Sequence, residues 1–258
     1  ITTQIYLVVN RIMLGRMAPQ AAVSQFNFGD NIVKLVLAVV TATGTVMLPH
    51  IANKFASGDV KGVRESLYKS FDFVTAVSVP MMFGLMAIAY KFAPWFLGNE
   101  YGPTGGVIFW EAPAILMIAW SNVTGTQYLM PIHREHQYTI SVTVGAVINV
   151  IANLFLISLY GANGAAVATV ISEFSVTAVQ LFYVKGTIRR RALFAPIWRY
   201  LLCGLFMYLV VSRINEIMSM TIVNLILQVA LGMIIYIGGL FLLKAPIIKQ
   251  AKSLLKKE

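Results

Sequence analysis

Charged side chains are scarce in this sequence, and four of them stand inside long apolar runs where an ion is costly to keep. Arg11 follows Asn10 in the first run, Asp30 and Lys34 lie together in the second, and Glu173 lies deep in a later one. An ionisable group within a membrane span is by default a candidate for function. Asp30 and Lys34 are spaced i, i+4, which sets them on one face of a helix. Arg11 and Lys34 together suggest a cationic lining that attracts an anionic headgroup into a cavity. The plainer alternative is that both long side chains snorkel to the outer interface, with Asp30 neutralising Lys34. Glu173 and Asp30 are the candidates for a protonation switch in ion-coupled transport, against the alternative that Glu173 only fixes helix packing. Glu111 and Asp72 fall nearer the ends of their runs and read as span-end markers.

Other polar and small residues speak of packing rather than chemistry. Asn149 and Asn153 are again spaced i, i+4, and an interhelical hydrogen bond explains them more simply than substrate contact. Gly164, Ala168 and Ser172 recur every fourth residue, the small-residue pattern that lets membrane helices approach closely. Pro80 and Pro113 mark kinks within spans. The pair His133 and His136 lacks the His-Glu-x-x-His spacing and has no neighbouring ligand, so no metal site is expected. Cys203 stands alone in an apolar run, which excludes an intrachain disulfide and suits a small buried hydrophobe. No catalytic set of Ser, His and Asp and no glycine-rich phosphate loop is visible; the chain reads as a non-enzyme with no cofactor.

These residues need helices that cross a bilayer to position them. Of 258 residues, 58% are hydrophobic and 12% charged, about half the charged share of a soluble domain. Eight runs approach the length of about 20 residues that a span requires: approximately Ile1–Met17, Asn27–Leu48, Phe71–Tyr90, Val107–Leu129, Thr139–Leu159, Ala165–Val184, Tyr200–Val211 and Thr221–Leu243. The fifth and sixth are joined only by Tyr160-Gly-Ala-Asn-Gly164, which predicts a transmembrane hairpin. The fold class is therefore all-α, a polytopic bundle. Two further pieces, around Val60, Val63, Leu67 and Phe71 and around Ile247, Ile248, Ala251, Leu254 and Leu255, have the pattern of helices lying on the membrane surface.

The net charge of +10 is a topology signal rather than a nucleic-acid footprint. Lys54, Lys61, Arg64 and Lys69, then Arg134, then Lys185, Arg189, Arg190, Arg191 and Arg199, then Lys244, Lys249, Lys252, Lys256 and Lys257 all fall on one side of the alternation. Only Arg16, Lys91 and Arg213 fall on the other. The positive-inside rule then makes the C-terminus cytoplasmic and the protein a multi-pass component of the cytoplasmic membrane. The basic side faces anionic membrane lipid.

Several stretches resemble a known family. Asn10-Arg-Ile-Met-Leu-Gly15, Met47-Leu-Pro-His-Ile-Ala52 with the following Gly58-Asp-Val-Lys, and Asn149 to Glu173 are similar to segments of polysaccharide-biosynthesis flippases. These belong to the multidrug/oligosaccharidyl-lipid/polysaccharide (MOP, MATE-like) exporter superfamily. The resemblance implies two six-helix lobes around a central cavity, with this chain as a C-terminal fragment. Residues 1–184 would be the second lobe and residues 185–258 two additional helices with a basic tail. It implies a substrate of undecaprenyl-pyrophosphate-linked oligosaccharide, moved between leaflets by alternating access. The missing N-terminal lobe and polysaccharide assembly proteins would be its partners. Related proteins often carry an acidic residue where Asn10 stands, which leaves Arg11 as the functional group there. A multidrug/cation antiporter of the same superfamily, a flippase for lipid-linked peptidoglycan precursor, and a membrane enzyme of polysaccharide assembly are the alternatives.

Overall fold

The computed structural model describes residues 2–185 and 188–255, with side chains for 8–42, 48–185 and 188–250. Ten helices follow one another: α1 (Thr2–Met17), α2 (Gln20–Ala56), α3 (Val60–Leu97), α4 (Thr104–Glu111), α5 (Pro113–Ser121), α6 (Glu135–Val184), α7 (Arg190–Phe194), α8 (Ile197–Ile217), α9 (Ile222–Leu242) and α10 (Pro246–Leu255). There is no strand among the described residues. Five stretches are long and apolar enough to cross a membrane: Val60–Leu97, Thr104–Leu129, Glu135–Val184, Arg190–Ile217 and Ile222–Leu242. The chain is a multi-pass membrane protein. Large apolar side chains on α9, such as Ile222, Val223 and Ile234, are exposed, as a lipid-facing helix requires.

The 50-residue α6 is two spans, not one. A straight helix would hold residues 27 apart at about 40 Å, yet the Ser172 hydroxyl donates to the Gly145 carbonyl over 2.8 Å. The reversal is made at Gly161, with φ 55° and ψ −127°, a conformation open to glycine and strained for other residues. The turn is thus sharper than the predicted connection of residues 160–164, and helix resumes at once. α1, at 16 residues, and α2, which carries Asp30 and Lys34, complete the eight predicted segments.

α3 forms the spine. Phe71 stacks on Trp120 of α5 at 5.4 Å and meets Phe194 of α7 edge-on at 5.7 Å. Val63, Leu67 and Phe71 are buried in the main core, so the first turns of α3 continue the span instead of lying on the membrane surface as their pattern predicts. The apolar face is covered by protein (α7 and α5), where sequence periodicity alone leaves lipid and protein indistinguishable. A second core joins Leu14, Phe26, Val107, Ile157 and Ala165, fixing α1, α2, α4 and the α6 hairpin together.

The fourth predicted span is irregular, with a helical junction at Ala112 (φ −50°, ψ −36°) near its start. Pro113 starts α5 after α4 ends at Glu111, and α5 runs into a π-helical stretch, Asn122–Leu129. Such stretches within helices are frequent at functional sites. Pro80 and Pro94 both lie inside α3. The second stretch expected at the membrane surface is helical, as α10. Ile247 and Ile248 pack against the main core; the side chains of Ala251, Lys252, Leu254, Leu255, Lys256 and Lys257 lie outside the described residues.

Candidate functional site

α1 and α2 are joined only through Ala18 and Pro19, a connection short enough to bring Arg11 back against the start of α2. Asp30 is the meeting point. Its carboxylate, 1% exposed, accepts a hydrogen bond from Lys34 one turn further along α2, and the Arg11 guanidinium stands 3.9 Å from the same Oδ2. The side chains of Arg11 and Lys34 keep 46% and 35% of their surface exposed. The two cations are therefore anchored from within by one buried carboxylate while their heads remain reachable from outside.

Behind them lies a cavity of about 410 Å³. α2 contributes Asp30, Lys34 and Thr41, α4 contributes Glu111, and the π-helical stretch contributes Asn122 and Thr126. Tyr138, Thr169 and Glu173 come from the two arms of the α6 hairpin. Asp30 and Glu173, far apart in sequence, share this cavity. Glu111 is the residue that sequence reasoning set aside. It is 2% exposed and sits against Asp30, so it belongs to the cavity and not to a span end. The signal that would have found it is a contact between α2 and α4, which periodicity does not carry. Asp72 has partners from distant elements: Tyr200 donates to its Oδ1 at 2.7 Å and Gln250 to its Oδ2 at 2.8 Å.

Asn149 and Asn153 take part in a linear amide chain that leaves Asn149 Nδ2 and Asn153 Oδ1 buried without a hydrogen-bond partner. Asn153 Nδ2 donates to Asn10 Oδ1 at 2.6 Å and to Asn149 Oδ1 at 3.0 Å; Asn10 Nδ2 donates in turn to Thr169 Oγ1 at 3.0 Å. All three asparagines are fully buried. The chain ties α1 to both arms of the hairpin, and Thr169 also lines the cavity, so the cavity wall and the Arg11 helix are mechanically one unit. Gly164 and Ala168 permit the close approach of the arms. A methyl added at Gly164 would lie 1.9 Å from the Leu156 carbonyl oxygen, and Ala168 is completely buried.

A second, apolar groove of about 620 Å³ runs between α3, α8 and α9, lined by Ala76, Pro80, Met207, Gly232, Tyr236 and neighbouring residues, with Ile247 and Ile248 of α10 at one end. Its outer rim, Val229, Met233 and Ile237, is about half exposed, which leaves the groove open along the side of the bundle. Among the described residues, no three His, Cys, Asp or Glu side chains group as metal ligands do.

Known proteins share this architecture. Residues 1–104 match the family model described as "Polysaccharide biosynthesis protein". The lipid II flippase MurJ of Bacillus subtilis is 25% identical over 143 residues, covering 54% of this chain and 26% of that protein. An uncharacterized membrane protein of Methanocaldococcus jannaschii is 26% identical over 227 residues, covering 84% of this chain and 42% of its own. The chain thus spans less than half the length of either relative. Among solved structures, the lipid II flippase MurJ in an inward closed conformation superposes with a TM-score of 0.79 at 19% identity, covering 92% of this chain and 50% of that one. An outward-facing multidrug resistance MATE family transporter of the MOP superfamily gives 0.58 at 18% identity, covering 93% and 61%. The chain has the fold of the MOP superfamily of membrane transporters.

Proposed function

We propose that the chain is part of a flippase that moves undecaprenyl-pyrophosphate-linked oligosaccharide repeat units across the cytoplasmic membrane. The product would serve capsule, exopolysaccharide or another surface polysaccharide. The observation that carries this reading is the Arg11–Asp30–Lys34 cluster. Two reachable cations held by a carboxylate that is itself buried suit a diphosphate, and the planar guanidinium of Arg11 suits it in particular. The match of residues 1–104 to a polysaccharide-biosynthesis family covers both cations.

In this reading residues 1–184 act as a six-helix lobe opposite a second lobe of the same protein. Residues 185–258 add two helices and a basic cytoplasmic tail. Asp30 and Glu173, with Glu111 between α2 and α4, form a set of carboxyls able to hold a proton or cation and couple it to motion. Alternating access then works through the unit that the asparagine chain makes of α1 and the α6 hairpin. Polysaccharide assembly proteins and membrane lipid are its further partners.

The three carboxyls in one cavity favour a second reading, a cation-coupled drug antiporter, because acidic groups attract cationic compounds. A peptidoglycan-precursor flippase is a near variant, supported by the likeness to MurJ. The deciding experiment uses cells lacking the full-length parent, with lipid-linked oligosaccharide quantified in each leaflet. Accumulation on the cytoplasmic leaflet, relieved by the wild type but not by Arg11→Ala, is expected. A normal leaflet distribution together with altered drug resistance would refute the flippase reading and favour the antiporter.

A further inference from the structure

A third concavity lies on the cation-rich face, apart from the cavity and groove described above. It measures about 350 Å³ and is bounded by Tyr68, Lys69 and Asp72 of α3, by α7, by Pro196 and Arg199 at the start of α8, and by Pro246 and Gln250 of α10. Hydrogen bonds fix its walls from every side. The Tyr68 hydroxyl accepts from the Arg189 amide at 3.0 Å, Tyr200 and Gln250 both donate to Asp72, and Arg199 Nη1 donates to the Lys244 carbonyl at 3.0 Å. The pocket therefore does not depend on loose surface side chains for its shape.

Its charges are unbalanced. Asp72 has a donor on each oxygen and is committed to Tyr200 and Gln250. Arg199 Nε is buried and has no hydrogen-bond partner. Among the described residues no carboxylate lies within 4.0 Å of Arg199 or Lys69. The half-exposed Trp198 ring lies 5.5 Å from the Arg199 guanidinium, and aromatic rings of this kind settle at the headgroup level of a bilayer.

The apolar groove begins where this pocket ends. Asp72 on α3 lines the pocket and Ala76, one turn on, lines the groove; Pro246 and Gln250 of α10 face the pocket, and Ile247 and Ile248 the groove. An anion site beside an apolar groove, with neighbouring positions of α3 and α10 lining each, suits a lipid and exceeds what a free anion needs. We propose that this pocket binds the phosphate of a membrane lipid on the cation-rich face, with Arg199 and Lys69 as its charged contacts and the lipid's chain in the adjoining groove. The site is independent of the transported substrate, since an antiporter with these residues would hold it equally.

The test is native mass spectrometry of the full chain, delipidated and titrated separately with phosphatidylglycerol, undecaprenyl phosphate and phosphatidylcholine. At least one of the two anionic lipids is expected to bind in preference to phosphatidylcholine, and the tighter of the two names the source. Binding is expected to weaken about fivefold for each cation removed, hence by roughly 25-fold in Arg199→Gln/Lys69→Gln. Arg213→Gln, a charge loss on the opposite face, should leave it unchanged. Lys69→Gln alone, at an exposed position, gives the fivefold step without risk to folding. Unchanged binding in the double variant, an equal loss in Arg213→Gln, or full displacement by inorganic phosphate at the lipid's own concentration would each overturn the proposal.

Discussion

Replacing Gly164 by alanine tests the hairpin on which the cavity depends. The added methyl would stand 1.9 Å from the Leu156 carbonyl oxygen, 2.4 Å from its carbon and 2.9 Å from the Ile157 nitrogen. Contacts with backbone cannot be relieved by a side-chain rotation, so the two arms of α6 must separate by more than 1 Å, roughly, to reach ordinary carbon–oxygen contact. Overpacking of a tight core costs about 1–3 kcal/mol, and a backbone clash of this depth belongs at the upper end. About 3 kcal/mol is two orders of magnitude in the folding equilibrium. Gly15→Ala is the matched control: nothing lies within 4 Å of the new methyl, and the exchange inside α1 should stabilise by about 0.5–1 kcal/mol. Reversible unfolding in mixed micelles, followed by circular dichroism, reads both variants. If Gly164→Ala unfolds within about 0.5 kcal/mol of the wild type, the close approach of the arms is not what fixes the hairpin, and the reasoning fails.

Two further outcomes are expected. Asn153→Ala removes one interhelical hydrogen bond, to Asn10, and one within its own arm, to Asn149; at about 0.6–1.7 kcal/mol for the interhelical bond in a membrane, it should destabilise by about 1–2 kcal/mol in the same assay, and no measurable loss would contradict the amide chain. A double-mutant cycle of Asp30→Asn with Lys34→Met should return a coupling of about 1 kcal/mol, kept small by the exposed third of Lys34. Strict additivity would show that the pair is not an energetic unit.

Much of the architecture was readable because bilayer physics acts through local sequence. Run lengths, the small-residue series at Gly164, Ala168 and Ser172, and the one-sided cations each report on helices without reference to distant partners. Asp30 and Lys34 were likewise placed together by their own spacing. The environment of Glu111 is made by Asp30, 81 positions earlier in the chain, and the partners of Asp72, Tyr200 and Gln250, come 128 and 178 positions later, which local sequence does not report. The face of Val63, Leu67 and Phe71 was correctly seen as apolar, but an apolar stripe says only that something nonpolar covers it. At Phe71 the cover is Trp120 and Phe194, which no periodicity reveals.

The asparagine chain also sets a schedule for biogenesis. Asn10 finds its partners only 143 and 159 positions further along the polypeptide. At about 5–20 residues per second of synthesis, α1 waits in the lipid for roughly 10–30 s with its amide unanswered. During that interval it depends on the insertion machinery or on an already folded neighbour to shield it. The polar seam can therefore close only after both arms of the α6 hairpin have been made.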